Sequence, residues 1–283
     1  MLVCAWWSLP EAYGIASALE GMGIPMVTRA HGYDLFPEQD RLGFIPFQRA
    51  LLEHVDHVFS VSQAGAEYLR GAYPDLARKV DVAYLGTDEP RGLAPSSSDG
   101  RLRIVTCSSV VPVKRLDRMV DVVRRLRESG EDVEWTHIGG GPGLDALEEQ
   151  CASLGPVVRF TGQLPAGMVT DWLAKHPVDL FCNVSESEGL PVTLMEAASC
   201  GIPLLAADAG GNREIVDAAV GVLLGPDPSP GDVADAVLAF AALDAPGRTA
   251  LREASRRRWE ERFKAESNYP AFSRRLLDLA GTR

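Results

Sequence analysis

From about residue 101 onward, short apolar runs rich in β-formers recur with a regularity that leaves few folds open. They fall at 102–107, 133–138, 157–161, 178–183, 202–207 and 220–224, with segments of mostly helical pattern between them. Such alternation is the signature of a parallel, doubly wound α/β sheet. The runs are apolar nearly throughout, as in Ile104-Val-Thr-Cys107 and Val178-Asp-Leu-Phe-Cys182, which suits strands covered by helices on both faces. Ligands of such sheets bind at the carboxyl ends of the strands.

A shorter series of the same kind fills residues 2–92, with strand-like runs at 2–6, 25–29, 57–61 and 80–84 and helical stretches such as Phe47 to Val55. A full doubly wound domain needs about 150 residues, so this first domain is expected to be incomplete, lacking its N-terminal portion. Pro90 to Gly100, with Pro95-Ser-Ser-Ser98, has no periodicity and reads as an interdomain linker. The expected layout is a partial domain over 1–92, a complete one over 93–254 and a helical segment over 255–283.

Composition narrows the function classes. Hydrophobic residues make up 46% of the 283, enough for packed cores, and the net charge of −11 makes nucleic acid a poor partner. The five cysteines form no Cys-x-x-Cys pair, and Cys107 and Cys182 fall inside apolar runs, which fits a reducing cytoplasm. No apolar run is long enough to span a membrane, and the opening Met1 to Trp7 lacks the basic start of a signal peptide.

Polar segments follow several of the strand runs. After 178–183 comes Ser185-Glu-Ser-Glu-Gly-Leu-Pro-Val-Thr-Leu-Met-Glu196, in which Pro191 suits a helix start and Gly201 with Pro203 its end. Glu188 then lies in the loop and Glu196 on the helix, and the first-turn amides of Val192 and Thr193 suit an anion. After 102–107 comes Ser108-Ser-Val-Val-Pro-Val-Lys-Arg115, whose Lys114 could reach a diphosphate. Both segments also fit ordinary solvated helix-start charges. The glycine turns Gly139-Gly-Gly141 and Gly210-Gly211 are weak signals alone, since tight turns need glycine with or without a ligand. His31, in Thr28-Arg-Ala-His-Gly-Tyr-Asp34, stands at a strand end as a substrate contact or a structural histidine. His54 and His57 are spaced for one helix face, with no third ligand nearby, so no metal site is expected.

Taken in order, these segments resemble glycosyltransferase family 4, retaining nucleotide-sugar enzymes of the GT-B type with two facing Rossmann-like domains. The feature most typical of that family is a pair of glutamates with seven residues between them after a strand, here Glu188 and Glu196, followed by Gly201-Ile-Pro203 and Gly210-Gly-x-x-Glu214. The resemblance implies that Glu196 bonds the donor ribose, while Glu188 and the amides around Gly189, Leu190, Val192 and Thr193 hold sugar and distal phosphate. Lys114 would bind the diphosphate and His31 the transferred sugar, with Gly140 and Gly141 lining the donor site. Many members carry an Arg where this chain has Ser109, leaving Arg115 as the substitute cation.

Trp6-Trp-Ser-Leu-Pro-Glu-Ala-Tyr13, His31-Gly-Tyr-Asp34 and Val111-Pro-Val-Lys-Arg115 further resemble the bacterial branch acting in exopolysaccharide or colanic-acid-like assembly. The implied reaction moves a hexosyl group from a nucleoside diphosphate sugar to a sugar or lipid-linked sugar acceptor. It needs no cofactor and no metal. The basic tail, with Arg256-Arg-Arg258 and Arg274-Arg275, suits either a peripheral contact with anionic lipid at the inner membrane face or a helix packing back across the domains. Two rival readings stay open: a non-catalytic nucleotide-sugar-binding or scaffold protein, and a nucleotide-sugar 2-epimerase.

Overall fold

The computed structural model describes residues 1–37, 42–165 and 167–281. The chain divides into two compact units, one of Met1–Gly86, Ser187–Leu190 and Arg262–Arg283, the other of Thr87–Glu186 and Pro191–Glu261. Both are built on parallel sheets.

Unit 1 carries the four-stranded sheet β1 (Val3–Ala5), β2 (Met26–Ala30), β3 (His57–Ser60) and β4 (Val80–Val82), paired in sequence order. Helices α1 (Pro10–Ala18), α2 (Gln48–His54) and α3 (Gln63–Ala72) connect the strands. Ser62 caps α3 by accepting the Gly65 N–H, satisfying one of the amides a helix start leaves open. Every residue of β2 is buried, Arg29 included. That guanidinium lies between the rings of Trp6 (4.8 Å) and Phe272 (4.5 Å) and donates to the carbonyls of Ala83 (2.7 Å) and Tyr84 (3.1 Å). Burial lowers its pKa to about 10, so it stays charged. Phe272 belongs to the last helix, α11 (Ala265–Gly281), which packs on Val27, Phe59 and Ala83.

Unit 2 has β5 (Leu102–Cys107), β6 (Val133–Ile138), β7 (Val158–Phe160), β8 (Leu180–Asn183), β9 (Leu204–Ala207) and β10 (Gly221–Leu224). Their spatial order is β10-β9-β8-β5-β6-β7, so the winding reverses between β8 and β5. That switch point is where open α/β sheets bind ligands. Helices α4 (Leu116–Glu128), α5 (Leu144–Cys151), α6 (Met168–Lys175), α7 (Val192–Ser199), α8 (Asn212–Ile215) and α9 (Pro230–Ala241) follow the strands, and α10 (Ala245–Arg262) closes the unit. The stripe Leu116, Met119, Val120, Val123 and Leu126 of α4 buries against Ile104, Trp135 and α9, the periodicity expected of a core-facing helix. Ser229 and Asp232 form a reciprocal capping box at the start of α9. No helix among the described residues is long and apolar enough to cross a membrane.

This division differs from the expected limits of 1–92, 93–254 and 255–283. Pro90–Gly100 is not a free linker, because Asp179 accepts from the Ser97 amide (3.1 Å) and hydroxyl (2.6 Å), and the Ala94 N–H donates to Cys200 (2.9 Å). The C-terminal helical region starts at Ala245 rather than 255, its polar composition hiding the onset from apolar periodicity. Pro191 caps α7 rather than opening its first turn. Nor do His54 and His57 share a helix: His54 ends α2, and His57 opens β3 with its ring bonded to Asp81 (2.7 Å).

Candidate functional site

In unit 2 the carboxyl ends of β5 and β8 lie side by side, and the loops leaving them enclose a small pocket. Ser108 and Lys114 line it from one loop, Asn183 and Ser185 from the other. Pro112–Lys114 forms one 3-10 turn, which leaves Lys114 half-buried, and the Glu186 N–H donates to the Val113 carbonyl (2.8 Å), tying the loops together. Arg115, in the left-handed region at φ 50°, opens α4 and sends its guanidinium away to Glu186 (3.0 Å) and Asp227 (2.5 Å). Ser109 is exposed beside this loop.

Glu196 sits on the second turn of α7, partly buried, and its carboxylate has no hydrogen-bond or ion-pair partner among the described residues. Burial pushes its pKa up to about 7. The Val192 and Thr193 amides likewise have no acceptor, because Pro191 supplies no capping side chain. An acceptor group with no donor and two donors with no acceptor are the complement of a ligand carrying hydroxyls and an anionic group.

The glycine turn after β6 has a packing reason for its composition. A Cβ on Gly139, at φ 142°, would fall 1.9 Å from the Ser108 carbonyl, and one on Gly141 2.8 Å from the Val110 nitrogen. Gly140 accepts the Val110 N–H at 2.8 Å, and a Cβ there would make only ordinary contact with Gln163 at 3.6 Å. The glycines therefore bring the loop carrying Ser108 and Ser109 against the β6 turn.

In unit 1, His31 follows β2. Asp34, fully buried, accepts the amides of His31 (2.7 Å), Gly32 (3.0 Å) and Ser8 (2.9 Å), which fixes the β1 and β2 loops together. Burial alone would raise its pKa, but the His31 side chain and these amides outweigh it and hold the carboxyl below its usual range. The His31 ring packs on Trp7 at a centroid distance of 4.0 Å. Its Nδ1 stands 3.6 Å from Asp34, within ion-pair range but beyond a hydrogen bond, so neither buried ring nitrogen has a hydrogen-bond partner among the described residues. Glu188, Gly189 and Leu190 are grouped with this unit although flanked in sequence by unit 2. The cause is Gly189, whose backbone lies so close to His31 that a Cβ there would fall 1.7 Å from the His31 carbonyl oxygen. Glu188 is nearly buried in the same stretch. The structure thus groups His31 with Glu188, Gly189 and Leu190 in unit 1, whereas Lys114, Glu196, Val192 and Thr193 all belong to unit 2, with Lys114 on the β5–β8 pocket and the other three on α7 outside its lining.

Residues 94–258, more than half of the chain, match the family model described as Glycosyl transferases group 1. The chain belongs to this family. It is 27% identical over 279 residues to WcaL of Escherichia coli strain K12, a protein assigned by name to colanic acid biosynthesis as a glycosyltransferase, covering 93% of this chain and 66% of that one. To the GDP-mannose-dependent alpha-(1-6)-phosphatidylinositol monomannoside mannosyltransferase of Mycolicibacterium smegmatis it is 26% identical over 236 residues, 72% of this chain and 59% of the relative. The chain thus spans less than two thirds of either relative. Among solved structures, Anabaena Alr3699/HepE in complex with UDP and glucose superimposes with a TM-score of 0.80 at 19% identity, covering 97% of this chain and 77% of HepE. Sucrose-phosphate synthase from Thermosynechococcus elongatus also gives 0.80, at 16% identity, over 98% of this chain and 73% of that one. The fold is therefore that of two Rossmann-like units as in GT-B glycosyltransferases.

Some features of this group 1 glycosyltransferase chain escape the sequence. Asn183 and Ser185 join Lys114 in the pocket, and the only advance signal is a polar residue ending an apolar strand. Beneath the β5 loop, Trp135 donates its indole N–H to Thr106 (2.9 Å), whose hydroxyl lies 2.9 Å from His137 Nδ1. Burial lowers the pKa of His137 to about 4, which keeps the imidazole neutral near pH 7. A roomier hollow of about 440 Å³ lies on the β5–β7 face beside Trp172 and His176. Its arginines are already paired, Arg101 with Asp132, Arg103 with Asp99 and Arg159 with Glu134. Among the described residues no group of three or more His, Cys, Asp or Glu is arranged to hold a metal.

Proposed function

We propose that this chain is a retaining hexosyltransferase of glycosyltransferase family 4, moving a hexosyl group from a nucleoside diphosphate sugar to an acceptor hydroxyl in bacterial polysaccharide or glycoconjugate synthesis. The observation that carries the reading is the unpartnered, partly buried Glu196 carboxylate beside the open amides of Val192 and Thr193. A ribose offers the hydroxyl donors that Glu196 lacks, and a phosphate the acceptors those amides lack. Lys114, on the pocket at the sheet's switch point, supplies the cation. HepE, whose structure is a complex with UDP and glucose, supports the donor class, and WcaL, named for colanic acid biosynthesis, supports the polysaccharide setting.

The diphosphate leaves as an anion, so catalysis rests on stabilising that charge. At an effective dielectric near 20, one cation about 4 Å from one negative charge contributes roughly 4 kcal/mol. Lys114 and the α7 amides carry that load, with no resident cofactor or metal in the scheme, while His31 and Glu188 orient the transferred sugar. The reaction stays on one sugar face, so the leaving phosphate takes the acceptor's proton and no side chain is assigned as base. Titration calorimetry with UDP-glucose and GDP-mannose, followed by NMR of the product linkage, tests this. Binding of one donor and transfer with the anomeric configuration kept is expected; an inverted linkage removes the retaining assignment. Binding with no transfer at all favours a binding protein, and isomerised free donor an epimerase.

A further inference from the structure

Three large aromatic side chains at the carboxyl ends of β1 and β2 are open to solvent: Trp6 is 46% exposed, Trp7 38% and Tyr33 47%. They are contiguous, Trp7 lying 5.0 Å from the Tyr33 ring and 4.0 Å from His31, and Trp6 5.9 Å from His31, by ring centroids. Hydrogen bonds hold the platform rigid from below. Thr28 donates its hydroxyl to the Trp7 carbonyl (3.2 Å) and Asp34 accepts the Ser8 amide, while one face of Trp6 rests on the Arg29 guanidinium. Exposed indoles on a backbone held by such hydrogen bonds are unusual on a surface without a partner, since such rings offer contact area at little entropic cost.

The geometry points to this platform as the seat of a neutral pyranose ring, the sugar unit of the acceptor, in the transfer proposed above. The argument is one of chemical match. A pyranose has an apolar C–H face and a rim of hydroxyls; the site offers flat aromatic faces and the Tyr33 hydroxyl, and the buried His31 imidazole behind Trp7 has two unpartnered nitrogens, one of which is left for the transferred sugar. Charge excludes an anionic occupant: the one cation in the cluster, Arg29, is fully buried beneath Trp6 and committed to the Ala83 and Tyr84 carbonyls, and Asp34 is equally sealed. The contacts of these rings run to one another, to an imidazole and to a guanidinium, not to an aliphatic channel of the kind an acyl chain would fill.

The test uses the full chain and four probes: the methyl α-pyranosides of glucose, mannose and galactose, and UDP-glucose. Saturation-transfer NMR should show at least one glycoside touching the protein through its ring protons. Trp6→Leu and Tyr33→Leu should each weaken that glycoside about tenfold, with Trp6→Phe and Tyr33→Phe restoring most of it. Calorimetry with UDP-glucose should give the same affinity for the parent and all four variants. Loss of UDP-glucose binding in the parent would count against the donor reading and leave the platform to be judged on the glycosides alone. No contact with any glycoside, or contact equal in the parent and in both leucine variants, overturns the platform.

Discussion

The carbonyl oxygen of His31 occupies the place where residue 189 would carry a side chain: a Cβ on Gly189 would meet it at 1.7 Å. Backbone atoms are on both sides of that contact, so no rotamer change can relieve it. Gly189→Ala is expected to push Ser187–Leu190 off the β2 loop and cost about 1–3 kcal/mol locally. Hydrogen exchange at residues 26–34 checks this, with faster exchange there and unchanged exchange in β5 to β10. Equal protection in parent and variant would mean that the loop can settle elsewhere without loss.

Glu196 should make stability depend on pH. Its folded pKa, about 7, lies above the ordinary carboxylate value of 4.5. Below pH 4.5 both folded and unfolded chains hold the proton and burial costs nothing. Between 4.5 and 7 only the folded chain keeps it, so stability falls as pH rises, and above 7 the loss is complete. Glu196→Gln should therefore melt higher than the parent at pH 8 and at the same temperature at pH 4.5, while binding UDP-glucose more weakly at pH 8. A uniform offset across pH would show that the carboxyl does not titrate in this way.

Lys114 and Arg115 are adjacent yet should behave differently. Lys114 lines the pocket, whereas the Arg115 guanidinium is directed to Glu186 and Asp227 and is not part of the pocket lining. Lys114→Ala is expected to lower kcat/KM about ten- to a hundredfold, the worth of a charge-assisted phosphate contact, and Arg115→Ala by less than about threefold. Steady-state kinetics with UDP-glucose or GDP-mannose decides; the reverse order would place Arg115 on the phosphate.

Asp34 should make unit 1 sensitive to acid. Its carboxyl is held below the ordinary value by the His31 side chain and the amides it accepts. That stability is present above pH 3.8 and is lost as pH falls through the lower folded value. Asp34→Asn should destabilise unit 1 by roughly 1.5–3 kcal/mol at pH 7, with the gap narrowing near pH 2. Urea unfolding at the two pH values followed by 5-fluorotryptophan NMR, which separates Trp6 and Trp7 from the three tryptophans of unit 2, measures it.

All ten strands are legible in the sequence because apolar runs bounded by turn residues leave little alternative, and α4 is legible because its buried stripe keeps one period over thirteen residues. Glu196 and Lys114 are legible as candidates because both follow strands at sheet ends. What the sequence hides is contact between distant segments. Nothing near Gly189 announces that it belongs with His31, and nothing beside Arg115 points to Asp227, 112 residues away. The loop Pro90–Gly100 reads as a tether for the same reason: its polar residues look solvated until Asp179 is seen to hold Ser97. The exposed indoles of Trp6 and Trp7 are a further case, since the sequence motif that contains them does not say which of its rings face solvent.

The course of the chain through unit 1 bears on how the protein is made. During synthesis, residues 1–86 leave the ribosome before unit 2, yet Phe272, which covers Arg29 and Phe59, arrives only after all of unit 2 has been translated. Of the two units, the one whose sheet is translated earlier is completed later. Until α11 emerges, the nascent chain must carry an uncovered patch of β2 and β3, which makes that interval the point at which chaperone binding or misassembly is most to be expected.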